Sequence, residues 1–167
     1  MYYMRILMDA DAIIKLAAST AKEEYLSGVT LFLSSAAAQE AIRGPSGGRS
    51  ADSLLIEKNV VSRKIRLAGS GKDREPPPVR PREDGDHATL EWATSPGFDI
   101  VVTDDRHLLA RLTATTDKAS TLCESIVHLA NAGIQRREKA LLLLEKLSGR
   151  VRERERTEAI RSLGGSS

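Results

Sequence analysis

Two short apolar runs that each end in paired carboxylates decide the fold of this chain: Ile-Leu-Met-Asp-Ala-Asp at residues 6–11 and Ile-Val-Val-Thr-Asp-Asp at residues 100–105. Hydrophobic runs of this length predict buried strands of a parallel sheet. Ligands of such sheets bind outside the carboxyl ends of the strands. Carboxylates at that edge repel one another unless something neutralises them, and a divalent cation is the simplest candidate. The two runs therefore predict a metal-dependent hydrolase.

Strand patterns alternate with helix patterns along most of the chain. Strands are predicted at 3–8, 29–33, 64–67 and 98–103, and helices at 12–18, 36–42, 52–61, 86–94 and 106–113. After residue 118 the pattern is wholly helical. This order predicts an α/β fold, a three-layer α/β/α sandwich with a central, mainly parallel sheet and extra C-terminal helices.

The length of 167 residues predicts one domain with a substantial core. We assign residues 1–147 to it, with a flexible Pro- and Gly-rich loop at 69–85, and residues 148–167 to a charged tail that is helical or disordered. No apolar stretch approaches the roughly 18 residues that a membrane span needs. The single cysteine, Cys123, excludes an internal disulfide and fits a reducing cytoplasm. We expect a cytoplasmic protein without a membrane partner.

The net charge of +2 conceals a strong asymmetry. Residues 63–82 carry seven basic and two acidic side chains, and residues 133–167 carry nine basic and five acidic ones, which leaves −7 for the remainder. An acidic site flanked by basic segments suits a phosphodiester substrate, because cations hold the backbone while metal-bound acids act on one phosphate. Basic segments that only increase solubility are the alternative explanation.

Acidic side chains from four separate segments are expected at one edge of the sheet. The candidates are Asp9, Asp11, Glu40, Asp86, Asp104 and Asp105. Asp9 is the hardest to assign to a structural role, because it ends a buried strand. Asp86 and Asp105 also fit helix N-caps, and Glu40 also fits a solvated helix position. Oxygen ligands from several segments suit a cation that keeps water and open positions for phosphate oxygens.

The order of these acids resembles the PIN domain family of metal-dependent ribonucleases. The matching segments are Met-Asp-Ala-Asp-Ala-Ile-Ile at 8–14, Ala-Gln-Glu-Ala-Ile at 38–42, Gly-Asp-His-Ala-Thr-Leu-Glu-Trp-Ala at 85–93 and Val-Val-Thr-Asp-Asp-Arg at 101–106. The resemblance covers about residues 4–112. It implies an α/β/α sandwich, an Mg²⁺- or Mn²⁺-activated water that attacks RNA, and often a toxin–antitoxin pair.

Carried over by position, the resemblance implies that the catalytic, metal-binding acids are Asp9, Glu40, Asp86 and Asp104. It implies a further metal-binding role for Asp105. Asp11 stands where the family more often has Ser, Thr or Asn, and we assign it an auxiliary role.

We therefore expect an endoribonuclease that hydrolyses RNA phosphodiester bonds, as a toxin or in RNA processing, with Mg²⁺ or Mn²⁺ as its cofactor. RNA is the expected partner; an antitoxin protein and a second copy of the chain stay open. Basic residues that would contact the phosphate backbone without reading sequence are Arg63, Lys64, Arg66 and Arg74.

Two alternatives belong to other classes. In a phosphatase similar to the haloacid dehalogenases, Asp9 would be the nucleophile, Asp11 the general acid, Ser34 a phosphate ligand and Lys72 the required lysine. That assignment leaves Glu40 and Asp86 without a role. In a non-catalytic PIN-like interaction module, the leucine-rich helix at 134–147 would bind a partner protein.

Overall fold

A computed structural model of the chain describes residues 3–43, 50–62, 64–69 and 85–164. Its strands and helices, in chain order, are β1 (Met4–Met8), α1 (Ala10–Ala18), α2 (Lys22–Leu26), β2 (Val29–Leu33), α3 (Ser35–Arg43), α4 (Ala51–Val61), β3 (Ile65–Leu67), α5 (Gly85–Ala93), β4 (Ile100–Val102), α6 (Arg106–Thr115), β5 (Ala119–Ser120), α7 (Leu122–Asn131), α8 (Arg137–Lys146) and α9 (Glu153–Ser162). The predicted α/β class is confirmed.

The strands form one five-stranded sheet in the order β3-β2-β1-β4-β5, and every pairing in it is parallel. The chain adds β2 and β3 on one side of β1, then returns to place β4 on the other side. The strand order therefore reverses between β1 and β4. Ligands of open α/β sheets bind at such a reversal, outside the carboxyl ends of the strands.

Helices cover both faces of the sheet, which confirms the three-layer sandwich. Alternate residues of β1 enter different cores: Ile6 and Met8 lie in the larger one and Leu7 in the smaller. The larger core contains side chains from α1, α3, α4, α7, α8 and α9, whereas the smaller is built with α5 and α6. With both faces buried, β1 reads as an apolar run that only Arg5 interrupts, as expected for a central parallel strand.

The segment after residue 118 differs from the sequence prediction, since Ala119 and Ser120 form the edge strand β5. Val101 N–H donates to the carbonyl of Lys118, and Thr103 N–H donates to that of Ser120. A two-residue strand without an apolar run carries too little local signal to be predicted. The helices expected after it are present as α7 and α8, and the charged tail, which the sequence left open as helical or disordered, contains α9.

Residues of the C-terminal segment contribute to the larger core. Leu143 and Leu144 of α8 are buried there, as are Ala159 of α9 and Leu163 just after it. Leu142, by contrast, is exposed.

Most of the Pro- and Gly-rich loop, together with Arg63, Lys72 and Arg74, lies outside the described residues. Within the described ranges, the helices are all too short or too polar to cross a bilayer.

Candidate functional site

Asp9 stands at the reversal of strand order, immediately after β1. Its backbone N–H donates to the carbonyl of Val102 at 3.1 Å, which ties it to the end of β4. Its side chain caps α1, because Oδ1 accepts the Ala12 N–H at 2.9 Å. Oδ2 accepts the hydroxyl of Thr103, the residue that follows β4. The carboxylate is therefore buried and oriented by both central strands.

Burial raises the pKa of Asp9 to about 7. The hydrogen bonds from Thr103 and Ala12 lower this pKa, but desolvation outweighs them. Repulsion from Asp11 and Asp104 raises it further, so these acids lie close enough to act on one another. A carboxyl group poised near neutral pH inside an acidic cluster is typical of functional sites.

Asp104 is the second buried carboxylate, just beyond β4. Its Oδ1 accepts the Leu122 N–H at 2.9 Å, at the first turn of α7. The N-cap of that helix is Thr121, whose hydroxyl accepts the Glu124 N–H in a capping box. The positive end of the helix dipole thus faces the Asp104 side chain.

Lys15 of α1 reaches into the same cluster. Its Nζ lies 3.2 Å from Oδ2 of Asp104 and 3.1 Å from a carboxylate oxygen of Asp11. Desolvation lowers the pKa of Lys15, but attraction to Asp104 and Asp11 more than offsets it and the pKa is raised. The ammonium group therefore keeps its positive charge beside Asp11 and Asp104.

Glu40 lies on α3 and Asp86 in the first turn of α5, and these two helices pack against each other. A Cβ placed on Gly85 would run into the Glu40 carboxylate and approach Cα of Ala37 at 3.2 Å. Gly85 thus lets α5 begin directly against α3, beside the Glu40 carboxylate and next to Asp86. Glu40 itself is exposed, and Asp86 is half-buried.

Asp105 has a structural role at the start of α6. Its side chain accepts the Leu108 N–H at 2.8 Å and caps this helix. Its backbone N–H donates to the Thr103 hydroxyl at 3.1 Å, so it also helps to orient the group that contacts Asp9. The metal-binding role assigned to Asp105 stays a prediction.

Four basic residues were predicted to contact the RNA backbone, and two of them lie in the described part of the chain. Both are on or next to the edge strand β3. Lys64 is exposed and pairs with Glu23 at 3.6 Å, and Arg66 is exposed within β3. Two strand spacings, roughly 10 Å, separate β3 from β1. Contact between these side chains and RNA stays a prediction.

Carboxylate oxygens are the donors that Mg²⁺ and Mn²⁺ prefer. Asp9 and Asp104 fit such an ion by this chemistry, and the Lys15 ammonium shows that their cluster accommodates positive charge. In the part of the chain that the structure describes, no three acidic, His or Cys side chains converge as metal ligands. Mg²⁺ does not require three, because one or two carboxylates with water and substrate phosphates often hold it.

No model of a known protein family matches the chain, and no match to it is found among curated proteins or solved structures. The geometry and the chemistry of the site therefore carry the functional argument.

Sequence reasoning overlooked two residues of the cluster, Lys15 and Thr103. The spacing of Asp11 and Lys15, four residues apart on a helix, indicates an ion pair. It does not indicate that the same ammonium reaches Asp104, which is 89 positions away. For Thr103, the only local signal was its place between a buried strand and a carboxylate.

Proposed function

We propose that this protein is a metal-dependent endoribonuclease of PIN-like type, with its reactive site between the carboxyl ends of β1 and β4. One observation carries the proposal: two buried carboxylates, Asp9 and Asp104, follow the neighbouring strands β1 and β4 at the point where strand order reverses, and the Asp104 charge acts on the pKa of Asp9. Beyond the structural contacts of both groups, burial and the neighbouring acids Asp11 and Asp104 raise the pKa of Asp9 to about 7, and a carboxyl group held in this way is typical of functional sites.

Asp9 and Asp104 are the residues that would hold Mg²⁺ or Mn²⁺. When bound, such an ion acts as a Lewis acid that activates water and offsets negative charge on the reacting phosphate. The chain itself supplies the orientation: Thr103 and the Ala12 N–H fix the Asp9 carboxylate, and the Leu122 N–H fixes that of Asp104. Rigidly held ligands of this kind avoid reorganisation during the reaction.

Glu40 on α3 and Asp86 on α5 would complete the site, by contacts to the metal that pass through a water molecule or through the substrate. Support for this role comes from their placement around Gly85, where α3 and α5 meet. Lys64 and Arg66 would then contact the RNA backbone at the β3 side, where exposed basic side chains add affinity without sequence preference. Action as a toxin or in RNA processing, and an antitoxin partner, belong to the same proposal.

The direct test incubates the full chain with a mixture of structured and unstructured RNAs in Mn²⁺ and in excess chelator, with products resolved by gel. We expect cleavage in Mn²⁺, no cleavage in chelator, and no cleavage by Asp9→Asn or Asp104→Asn. Asp99→Asn is the matched control, because Asp99 precedes the same strand at the opposite edge of the sheet. Its carboxylate accepts the Arg5 N–H at 2.7 Å, an interaction that the Asn oxygen can keep.

Four results would contradict the proposal. Cleavage that survives excess chelator excludes a metal-dependent reaction, and full activity in a folded Asp9→Asn variant excludes the assigned metal site. Hydrolysis of a small phosphomonoester with RNA left intact favours the phosphatase. In that alternative Ser34 would bind phosphate, but its buried hydroxyl accepts the Ala37 N–H and caps α3. No cleavage of any RNA, with a stable complex with another protein, favours the interaction module.

A further inference from the structure

Lys15 places a positive charge inside the carboxylate cluster of the proposed metal site. It projects from α1, the helix that Asp9 caps, and its Nζ lies between Asp11 and Asp104. The Asp104 side chain is only 4% exposed, whereas those of Lys15 and Asp11 are 26% and 49% exposed. The ammonium group is therefore the cation that compensates the buried Asp104 charge when no metal is bound.

We propose that Lys15 is an internal counter-ion that competes with the divalent cation for Asp104 and so sets how tightly the metal binds. The proposal rests on the metal site of the proposed function. It concerns metal affinity rather than turnover, so a binding measurement tests it without any nuclease assay.

The competition follows from which oxygens are engaged. Oδ1 of Asp104 accepts the Leu122 N–H, whereas Oδ2 faces the Lys15 ammonium. A divalent cation at Oδ2 would stand within a few ångströms of Nζ, and like charges at that distance in a partly buried site repel strongly. Metal binding therefore requires the ammonium to withdraw from Asp104.

Asp11 provides the place to which the ammonium withdraws. It pairs with Lys15 at 3.1 Å from one turn earlier on α1, and it is the more exposed of the two carboxylates. The flexible lysine stem can swing outward and keep this partner after it leaves Asp104. This geometry gives Asp11, whose side chain departs from the PIN pattern, a role in retaining the displaced charge.

Removal of the charge should move two measurable quantities in opposite directions. Lys15→Met leaves the buried Asp104 carboxylate without its cation, so the metal-free protein should lose stability. Mn²⁺ should bind the variant about tenfold more tightly, because binding no longer requires the ion pair between Lys15 and Asp104 to break. That pair is intermediate between exposed and buried. A residue that only organised the carboxylates would have the reverse effect on affinity.

The experiment measures Mn²⁺ affinity of the full chain by electron paramagnetic resonance of the free ion and by calorimetry, with thermal unfolding in chelator as the stability readout. Lys146→Met is the matched control: Lys146 pairs with Glu24 between α2 and α8, and its side chain is 28% exposed, close to the 26% of Lys15. It should lose stability without a gain in Mn²⁺ affinity. Lys15→Gln, which keeps a hydrogen-bond donor for Asp104, replaces Lys15→Met if the latter does not fold.

The outcomes are distinct. Tighter Mn²⁺ binding by the Lys15 variant, with unchanged affinity in the Lys146 variant, supports the proposal. Equal or weaker binding by a folded Lys15 variant, when the wild-type chain binds Mn²⁺, overturns it and leaves the proposed function standing. Absence of Mn²⁺ binding by both the wild-type chain and the Lys15 variant overturns the counter-ion and the metal site together.

Discussion

Protonation of Asp9 predicts that the metal-free protein loses stability as the pH rises toward neutrality. The folded state holds this proton up to about pH 7, because burial raises the pKa, whereas an unburied carboxyl of this kind releases it near 3.8. Between these values the folded state binds more protons than the unfolded state, so the free energy of unfolding falls as the pH increases.

The size of the effect follows from the interval between the two pKa values. It spans about three pH units, and each unit corresponds to about 1.4 kcal/mol. Asp9 alone should therefore reduce the free energy of unfolding by about 4 kcal/mol between pH 4 and pH 8. That loss is a large part of the 5–15 kcal/mol that separates the two states in a typical domain.

Asp9→Asn isolates this contribution. The Asn oxygen can still accept the Ala12 N–H and cap α1, and its amide can donate to the Thr103 hydroxyl, which can act as an acceptor. The variant cannot ionise at this position. Its stability should match that of the wild-type chain near pH 4 and should exceed it by about 4 kcal/mol near pH 8.

Urea unfolding followed by circular dichroism, in chelator and over a series of pH values, measures both proteins. The difference between the two curves cancels most other titrating groups, which are shared. Asp99→Asn, which replaces a carboxylate at the opposite end of β4, is the control variant. Mn²⁺ should restore stability to the wild-type chain near pH 8 and not to Asp9→Asn, since a cation favours the ionised carboxylate.

A stability difference that does not change with pH would refute the reasoning, since it would mean that Asp9 is equally easy to ionise in both states. A wild-type chain that gains stability over Asp9→Asn as the pH rises would refute it more strongly. That result would show that the hydrogen bonds from Thr103 and Ala12 outweigh desolvation of Asp9.

Two further predictions concern packing around the site. Gly85→Ala should destabilise the protein by about 1–3 kcal/mol in thermal or urea unfolding, because its Cβ would press on Glu40 and on the backbone of α3; unchanged stability would show that α5 shifts freely. Cys123 should resist thiol reagents at pH 8 in the folded state and react in urea, because burial raises the pKa of its thiol to about 12; rapid labelling of the folded protein would contradict this.

Local sequence patterns were sufficient to predict most of the strands and helices. The apolar runs of β1 and β4 predict buried parallel strands because both faces of the sheet are covered, so almost every side chain in them is hydrophobic. Helix capping also depends on residues close together in the chain, so the N-cap role of Asp105 at α6 could be proposed from the sequence. The edge strand β5 escaped prediction, because only hydrogen bonds to β4 define its two residues.

The candidate site, too, could be predicted from the sequence only in part. Its acids could be proposed from sequence, since a carboxylate directly after a buried strand must lie at the carboxyl edge of the sheet. The charge state of Asp9 and the double pairing of Lys15 could not, because both depend on side chains almost a hundred positions apart along the chain. Desolvation and Coulomb attraction act through space, so only the tertiary fold, which brings Thr103 to Asp9 and Asp104 to Lys15, decides which acid keeps its proton and which one pairs with an ammonium group.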